Sequence, residues 1–318
     1  VIDLDYLREE SFTNENITVA RFENPKTYSN LDIGFGDSNG AIVDRKRYGE
    51  VLLEEAERAG ADIHYETVVQ DVVQNGAVRG VTTTNRGSVV EYEADVVIDA
   101  AGSLSILQDK TDFSGTHFDT NVSYSQFCSA YREIVEVPEP VEWDDALVFK
   151  PTERAAGYLW YFPRTETTIN AGLGFQMNEE PMRLVDDLKR DLQTRPEFEG
   201  ATVTDKLGAA LPTRRPYDSA VAPGFIAAGD AAGHVNPTTG GGIAGAAYAG
   251  KYAAEQAIDA IEDDRTDDED ALWEYNVNVM DHFGARYAAL DVYNIFTTAY
   301  DIDDLMALLA AIPGEKLA

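Results

Sequence analysis

A glycine-rich stretch containing one acidic residue holds the residue types best suited to ligand binding. It runs from Gly224 to Ile243 and reads GFIAAGDAAGHVNPTTGGGI. Glycines leave the main chain open, so that a flat or anionic ligand can contact backbone N–H groups. A helix predicted to begin near Gly241 would add unpaired N–H groups and the positive end of its dipole. The stretch therefore predicts a ligand site in which Asp230 accepts a hydrogen bond from a polyol hydroxyl.

Close packing of a small-residue helix is the alternative explanation for this composition. It accounts for the helix body AGAAYAGKYAAE, because small side chains permit close approach. It does not account for a loop that combines Asp230, Asn236-Pro237 and three successive glycines, Gly240 to Gly242. We therefore expect the loop to bind a ligand and the helix body to pack.

Two short apolar strands lead into this region. ADVVIDAAG has the apolar run of a buried parallel strand and ends at Gly102, and FIAA leads into Gly229. Ligands of open α/β sheets bind at the carboxyl ends of the strands. Gly229 and Asp230 are therefore expected at the carboxyl edge of a sheet, and Gly102 at a point where the main chain comes close to another group.

Periodicity predicts the remaining elements, whereas residues 1–40 show no clear period. Apolar spacing and cap residues predict helices over 44–60, 181–193, 241–261, 272–296 and 303–312. Alternation and turn pairs predict a meander of strands at 62–65, 67–73, 77–83 and 88–94. Aromatic-rich strands of one antiparallel sheet are predicted at 123–135, 146–150, 157–163 and 167–175.

The composition excludes several classes of protein. Asp and Glu total 57 against 25 Lys and Arg, a net charge of -32, which argues against nucleic acid as a partner and favours a hydrated, halophilic surface. With one cysteine, Cys128, the chain forms no internal disulfide or four-cysteine iron–sulfur cluster. Its four histidines lack ligand spacing, so no metal site is predicted. No apolar run is long enough to span a bilayer and no signal peptide is evident, so a cytoplasmic location is expected.

Three motifs resemble the FAD-dependent oxidoreductases that share the p-hydroxybenzoate hydroxylase fold. GDAAGHVNPTTGGGI is similar to their flavin-binding motif, VDRKRYGEVLLEEAERAGADI to their cofactor-proximal helix, and ADVVIDAAGSLS to a third segment, except that Ala101 stands where an Asp is usual. The resemblance implies FAD as cofactor and an α/β fold with a Rossmann-like domain. The residues it implies for cofactor binding are Arg45, Gly102, Gly229, Asp230, Pro237, Gly240, Gly241, Gly242 and Ile243.

A fourth motif narrows the resemblance to the geranylgeranyl reductase family. GYLWYFPRTETTINAGLGF is similar to that family's Y-x-W-x-F-P and G-x-G pattern, and its members saturate isoprenoid double bonds. The substrate-binding residues that follow from it are Tyr158, Trp160, Phe162, Pro163, Gly172 and Gly174. Tyr158, Trp160 and Phe162 alternate onto one side of their strand, so that Trp160 and Tyr158 are also the proposed catalytic residues.

The resemblance also implies a domain plan and partners. Residues 1–114 and 203–262 would form the FAD-binding domain, with the meander at 62–93. Residues 115–202 would form an inserted antiparallel-sheet substrate lobe, and 263–318 C-terminal helices. The family's N-terminal G-x-G-x-x-G unit is not in this sequence, so the domain is expected to be truncated. The implied partners are a prenyl lipid, an electron donor such as NAD(P)H or a small redox protein, and a membrane surface in peripheral contact.

Other functions stay open at this point. A flavin-dependent halogenase or monooxygenase-like enzyme has a similar strand motif, W-x-W-x-I-P, in which Tyr158 and Phe162 would replace two residues. A cofactor-free protein that binds prenyl lipids is the alternative outside enzymes. A quinone oxidoreductase of the electron-transfer type is disfavoured, because it would need iron–sulfur cysteines.

Overall fold

A computed structural model describes residues 3–27, 29–37, 39–123, 126–152, 157–177, 183–297, 307 and 310–311. The chain divides into two compact units. The first comprises residues 1–63, 129–209 and 297–318, and the second comprises residues 64–128 and 210–296. This division groups residues 1–63 with the aromatic strands. The domain boundaries inferred from the sequence differ from it and remain a prediction.

Both units contain helices and strands, which confirms the predicted α/β class. The helices are α1 (Leu4–Ser11), α2 (Arg45–Arg58), α3 (Ile106–Lys110), α4 (Leu184–Leu192), α5 (Ile243–Glu262), α6 (Glu269–Leu272), α7 (Glu274–Val279) and α8 (Ala285–Thr297). The strands are β1 (Phe12–Ile17), β2 (Val19–Glu23), β3 (Asn30–Gly34), β4 (Gly40–Val43), β5 (Thr67–Asn75), β6 (Ala77–Asn85), β7 (Ser88–Glu93), β8 (Val97–Asp99), β9 (Phe127–Glu136), β10 (Ala146–Pro151), β11 (Gly157–Pro163), β12 (Thr168–Gln176), β13 (Thr202–Pro212), β14 (Val221–Ala222) and β15 (Phe225–Ala227).

The first unit is built on a seven-stranded sheet in the order β13-β9-β12-β11-β10-β2-β3. The predicted antiparallel pairing holds for β10 with β11 and for β11 with β12. The sequence did not predict that β2 would join this sheet, parallel to β10 and antiparallel to β3. Residues Thr13 to Glu23 carry mixed polar and apolar side chains without a clean alternation, so only the pairing itself defines these strands.

One face of this sheet carries the core of the first unit. Val148, Leu159, Tyr161 and Ile169 are buried there, and Leu188 of α4 packs among them. The predicted helix over 181–193 is therefore present as α4, although residues 181 and 182 lie outside the described part. Its apolar side covers the sheet because burial of large aliphatic side chains is the main stabilising contribution of such a layer.

The second unit contains the predicted meander β5-β6-β7 and a three-stranded sheet in the order β14-β15-β8. The predicted strand at 62–65 is wrong: residues 61–64 have no regular structure, and the antiparallel ladder with β6 begins only at Thr67, opposite Asn85. Tyr65 instead accepts a hydrogen bond from the Asn85 side chain through its carbonyl. The segment therefore turns into the meander before any ladder forms.

The predicted helix over 272–296 is interrupted. It consists of α7, a π-helical turn at Met280–Gly284 and α8, and α6 precedes it. The predicted terminal helix at 303–312 lies largely outside the described residues. Within the part of the chain that the structure describes, no helix has both the length and the apolar composition needed to cross a bilayer.

Candidate cofactor site and aromatic face

The strands β8 and β15 end side by side in the second unit. They pair in parallel, with Ile98 opposite Ile226 and Asp99 opposite Ala227, which agrees with the parallel strand predicted in ADVVIDAAG. Gly102 and Gly229 follow them with φ angles of 86° and 66°, a left-handed conformation that glycine adopts without steric cost. The two turns therefore meet at the carboxyl edge of this sheet.

Partly buried hydrogen bonds hold the two turns together. The Gln108 side chain donates to Asp99 Oδ2 at 2.9 Å and to the carbonyl of Ala231 at 2.7 Å. Asp99 is 1% exposed and its Oδ1 accepts from the N–H of Ala101 at 3.1 Å. Because both carboxylate oxygens of the buried Asp99 have partners, the turns have a defined separation.

The loop between β15 and α5 folds back on itself through its own polar groups. Asn236 Oδ1 accepts from the N–H groups of Thr238 and Thr239 at 3.0 and 3.2 Å. The main chain of Asn236 also bonds to Gly240 and Gly241, each at 2.9 Å. Asn236 therefore shapes this loop, whereas Pro237 is buried and its predicted contact with the cofactor stays a prediction.

Asp230 stands beside the start of α5. A Cβ atom added at Gly242 would lie 3.2 Å from Asp230 Oδ1, so the carboxylate and the helix start are in close contact. Gly242 is the N-cap of α5, and as a glycine it has no side chain of its own to cap the helix. Gly241, Ile243 and Ala244 are exposed. The first turn of α5 thus presents main chain, and a carboxylate, to an incoming ligand.

This arrangement fits the pyrophosphate and polyol chain of a dinucleotide cofactor. An uncapped helix N-terminus attracts an anion through its free N–H groups and dipole. Gly240, Gly241 and Gly242 place no side chain in front of these groups. A hydroxyl donor can reach Asp230. These residues suit FAD, whereas their roles as individual contacts remain predictions.

Sequence reasoning missed His234. It lies within the glycine-rich loop, where the sequence argued only against a metal ligand. The signal that could have identified it is the run of small residues around it, which predicts that the histidine side chain is buried. The side chain is 1% exposed and its Nδ1 accepts the N–H of Gly229 at 3.1 Å.

An aromatic face lies over three strands, β2, β10 and β11, of the seven-stranded sheet of the first unit. We define it by the side chains of Phe22, Phe149, Tyr158, Trp160 and Phe162. Ring centroids are 5.9 Å apart for Tyr158 and Trp160, and 6.3 Å apart for Trp160 and Phe162. The three motif residues thus share one side of β11, as their alternation predicted, and all three are partly exposed.

Glycine makes room for the indole of Trp160. Trp160 pairs with Gly172 across β11 and β12, and Tyr158 pairs with Gly174. A Cβ atom added at Gly172 would lie 2.3 Å from the indole and 2.7 Å from the carbonyl of Tyr131. Trp160 Nε1 donates to Asn170 Oδ1 at 3.2 Å, which fixes the ring orientation. Gly172 of the motif is therefore explained by the ring that lies over it.

Arg45 and Pro163 are the remaining predicted site residues. Arg45 is the first residue of α2 in the first unit and is exposed, and its cofactor role stays a prediction. Pro163 ends β11 on the buried side. Among the described residues, no group of three or more His, Cys, Asp or Glu is arranged to hold a metal ion. Burial raises the pKa of the Cys128 thiol to about 12, which makes it a poor nucleophile.

Comparison with known proteins assigns the fold. A structure of a geranylgeranyl bacteriochlorophyll reductase-like protein from Thermoplasma acidophilum superposes with a TM-score of 0.86 at 24% identity, over 97% of this chain and 77% of that one. The sequence model of the tryptophan halogenase family matches residues 8–300. The chain therefore has the fold common to these FAD-dependent enzymes.

Sequence relatives decide the family. The digeranylgeranylglycerophospholipid reductase of Methanothrix thermoacetophila is 31% identical over 288 residues, 89% of this chain and 71% of that protein. The chain belongs to the digeranylgeranylglycerophospholipid reductase family. The same enzyme of Sulfolobus acidocaldarius is 31% identical over 288 residues, which are 85% of this chain and 60% of that protein. The family prediction is confirmed, and the chain spans between three fifths and three quarters of these two relatives.

Proposed function

We propose that this chain carries the FAD-binding and substrate-contacting residues of a reductase that saturates isoprenoid double bonds of a prenyl glycerophospholipid. The observation that carries the proposal is the loop of the second unit, in which Asp230 stands beside the glycine N-cap of α5 at the edge of β8 and β15. Family membership adds the substrate class, since the relatives are named as reductases of such a lipid.

The residues of the second unit would hold the cofactor. The N–H groups at the start of α5 would bind its pyrophosphate, and Asp230 would accept a hydrogen bond from the ribityl chain. Gly102 and Gly229, at the ends of the two strands, keep side chains out of the space beside them. Reduced FAD supplies a hydride, which is the reactant that saturation of a carbon–carbon double bond requires.

The aromatic face would bind the prenyl chain and stabilise the charge that develops on it. An isolated alkene takes up one hydride and one proton, and positive charge builds on its more substituted carbon when the proton arrives first. Aromatic faces attract a cation by roughly 0.5–2 kcal/mol each. Trp160, held over Gly172 and oriented by Asn170, is the ring whose position is most closely defined.

Retention of FAD by the purified chain is the first expected result. After mixing with FAD and desalting, the flavin absorbance should stay with the protein. Asp230→Ala removes a charged acceptor, worth roughly 1.5–3 kcal/mol, and should weaken FAD binding by about ten- to a hundred-fold. Asp259→Ala is the matched control, since Asp259 is an exposed carboxylate far along α5. Equal affinity of both variants would exclude the proposed role of Asp230.

Loss of the indole at Trp160 is expected to slow the reduction itself. Trp160→Ala should lower turnover about two- to thirty-fold, the range that corresponds to the cation–aromatic energies above, whereas Trp160→Phe should retain most of it. Turnover is measured as anaerobic reoxidation of the reduced flavin by a digeranylgeranyl glycerophospholipid. If Trp160→Ala changed only the apparent affinity for the lipid, charge stabilisation by this ring would be wrong.

The same assay separates the alternatives. A halogenase, which the match to the tryptophan halogenase family keeps in view, would reoxidise its flavin with oxygen and modify a substrate only with halide present. A cofactor-free lipid-binding protein would lose FAD on desalting and still bind the prenyl lipid. Reoxidation by the prenyl alkene without oxygen is expected only of the reductase.

The partners belong to the proposal as well. A lipid with two polyprenyl chains resides in a bilayer. We therefore infer that the protein is cytoplasmic and makes peripheral contact with a membrane surface. The hydride must be replenished by an electron donor, either NAD(P)H or a small redox protein. Co-sedimentation with archaeal-type lipid vesicles tests the first inference, and anaerobic bleaching of the flavin by each donor tests the second.

A further inference from the structure

His234 closes the cofactor loop on itself. Its backbone N–H donates to the carbonyl of Gly229 at 3.0 Å, and its ring Nδ1 accepts the N–H of the same residue at 3.1 Å. Both main-chain polar groups of Gly229 are thus bound by one residue five positions later. Asp230 follows Gly229 directly, so the placement of its carboxylate depends on this closure.

The surroundings of the ring favour a neutral imidazole. The side chain is 1% exposed and packs edge-on against Phe283, with ring centroids 5.4 Å apart. Tyr275 is the titratable group on the neighbouring helix α7, with its ring 6.3 Å away, and its hydroxyl donates to the carbonyl of Ala227. Burial lowers the pKa of His234 to about 3. At neutral pH the ring is therefore uncharged and carries its proton on Nε2.

The main chain of His234 also packs against helix α5. A Cβ atom added at Gly245 would lie 2.6 Å from the carbonyl oxygen of His234. The residue therefore contacts Gly229 on one side and the first turns of α5 on the other. Asp230 and the start of α5, the two groups assigned to the cofactor, are both linked to it.

We propose that His234 is a positioning residue for FAD: by accepting the Gly229 N–H at Nδ1, it sets where the Asp230 carboxylate stands beside the start of α5. The inference rests on the proposed function, since it assumes that FAD binds this loop. His234 itself is too deeply buried to contact the cofactor, so its effect is transmitted through Gly229 and Asp230.

Two amide variants distinguish this role from packing. The amide of Asn can place its oxygen near the position of Nδ1, whereas the amide of Gln reaches the position of Nε2 and cannot accept from Gly229. His234→Leu keeps an apolar side chain but leaves the Gly229 N–H without an acceptor in a dry interior. An unpaired buried donor is unfavourable, so the loop is expected to move to find water.

The test measures FAD affinity of the full chain by fluorescence titration at pH 7.5, together with far-ultraviolet circular dichroism. The dissociation constant of His234→Asn for FAD should lie within about three-fold of that of the unchanged protein. Those of His234→Gln and His234→Leu should be at least about ten-fold higher, and a ten-fold change corresponds to about 1.4 kcal/mol. Equal affinities of all three variants would overturn the inference, and so would equal weakening of Asn and Gln. If the unchanged chain binds no FAD, the proposed function fails instead.

A measurement without cofactor keeps the inference testable if a variant does not fold. Nitrogen-15 NMR of the unchanged protein should show His234 with a proton on Nε2 only, and a coupling between Gly229 N–H and Nδ1. A ring protonated on Nδ1 at neutral pH cannot accept this hydrogen bond. That result would overturn the positioning role independently of any activity.

Discussion

Replacing Asp191 by alanine is expected to destabilise the first unit by about 3–5 kcal/mol, the largest effect on folding that we anticipate. The Asp191 carboxylate accepts hydrogen bonds from Lys150 and Tyr161, and Arg195 donates to it at 3.2 Å. The side chains of Lys150 and Arg195 are only 11% and 10% exposed. Removing the acceptor would leave buried cations with too little compensating charge. The free energy of unfolding in urea is the measurement.

Asp187→Ala on the same helix is the control. Asp187 pairs with Arg190 at the surface, at 2.7 Å, and such exposed pairs contribute roughly 0.2–1 kcal/mol. A loss of less than about 1 kcal/mol in both variants would contradict the buried-cluster interpretation.

The same cluster has an acid dependence of defined sign. Burial opposes ionisation of Asp191, but hydrogen bonds from Lys150 and Tyr161 outweigh it and lower its pKa below the ordinary value. A carboxyl whose folded pKa is lowered stabilises the protein above its unfolded pKa, and this contribution is lost as the pH falls through the folded value. The stability of Asp191→Ala should therefore fall less steeply below about pH 4 than that of the unchanged protein.

The second large effect is on stability: replacing two glycines of α5 by alanine should change the free energy of unfolding in opposite directions. Gly245→Ala would place a methyl group 2.6 Å from the His234 carbonyl, so that helix or loop must shift, which typically costs about 1–3 kcal/mol. Gly250→Ala meets nothing within 4 Å, and alanine favours a helix interior by about 1 kcal/mol over glycine. We expect opposite shifts of the melting temperature, with FAD affinity lowered only by Gly245→Ala.

Both substitutions exchange the same residue types in one helix, so propensity is matched and only the contact differs. Stabilisation by both would show that the loop and α5 are less closely packed than the distances indicate. Unchanged FAD affinity of a destabilised Gly245→Ala would separate helix packing from cofactor binding.

Local pattern carried most of the information about the cofactor site. This site follows one short stretch of sequence: a strand, then Gly229-Asp230, then three glycines and a helix. Each feature has a local cause, namely apolar residues for β15, a positive φ at Gly229 and the absence of side chains on the glycines before the helix. The alternation of Tyr158, Trp160 and Phe162 likewise follows from strand geometry alone. For these features the sequence was sufficient to predict structure, although their roles await the experiments above.

Contacts between distant residues could not be predicted in this way. The pairing of β2 with β10 joins residues more than a hundred positions apart, and polar residues around β2 hide its period. The Asp191 cluster unites α4 with two strands, and neither Lys150 nor Tyr161 shows in its neighbours that it will be buried. The role of His234 could not be predicted either, because its ring accepts the Gly229 N–H only once the loop has folded and brought the two residues together.

The amino-acid sequence by itself determined the family, the α/β class, the glycine loop with Asp230 and the aromatic strand, because these depend on chain conformation and residue order over short distances. Only the tertiary structure decided which groups are buried together: the N-terminal strands in the sheet, the ion cluster beneath it and the imidazole behind the loop. The physical reason is that burial and hydrogen-bond partnership are properties of packing between elements, and a side chain acquires them from neighbours that the local sequence does not specify.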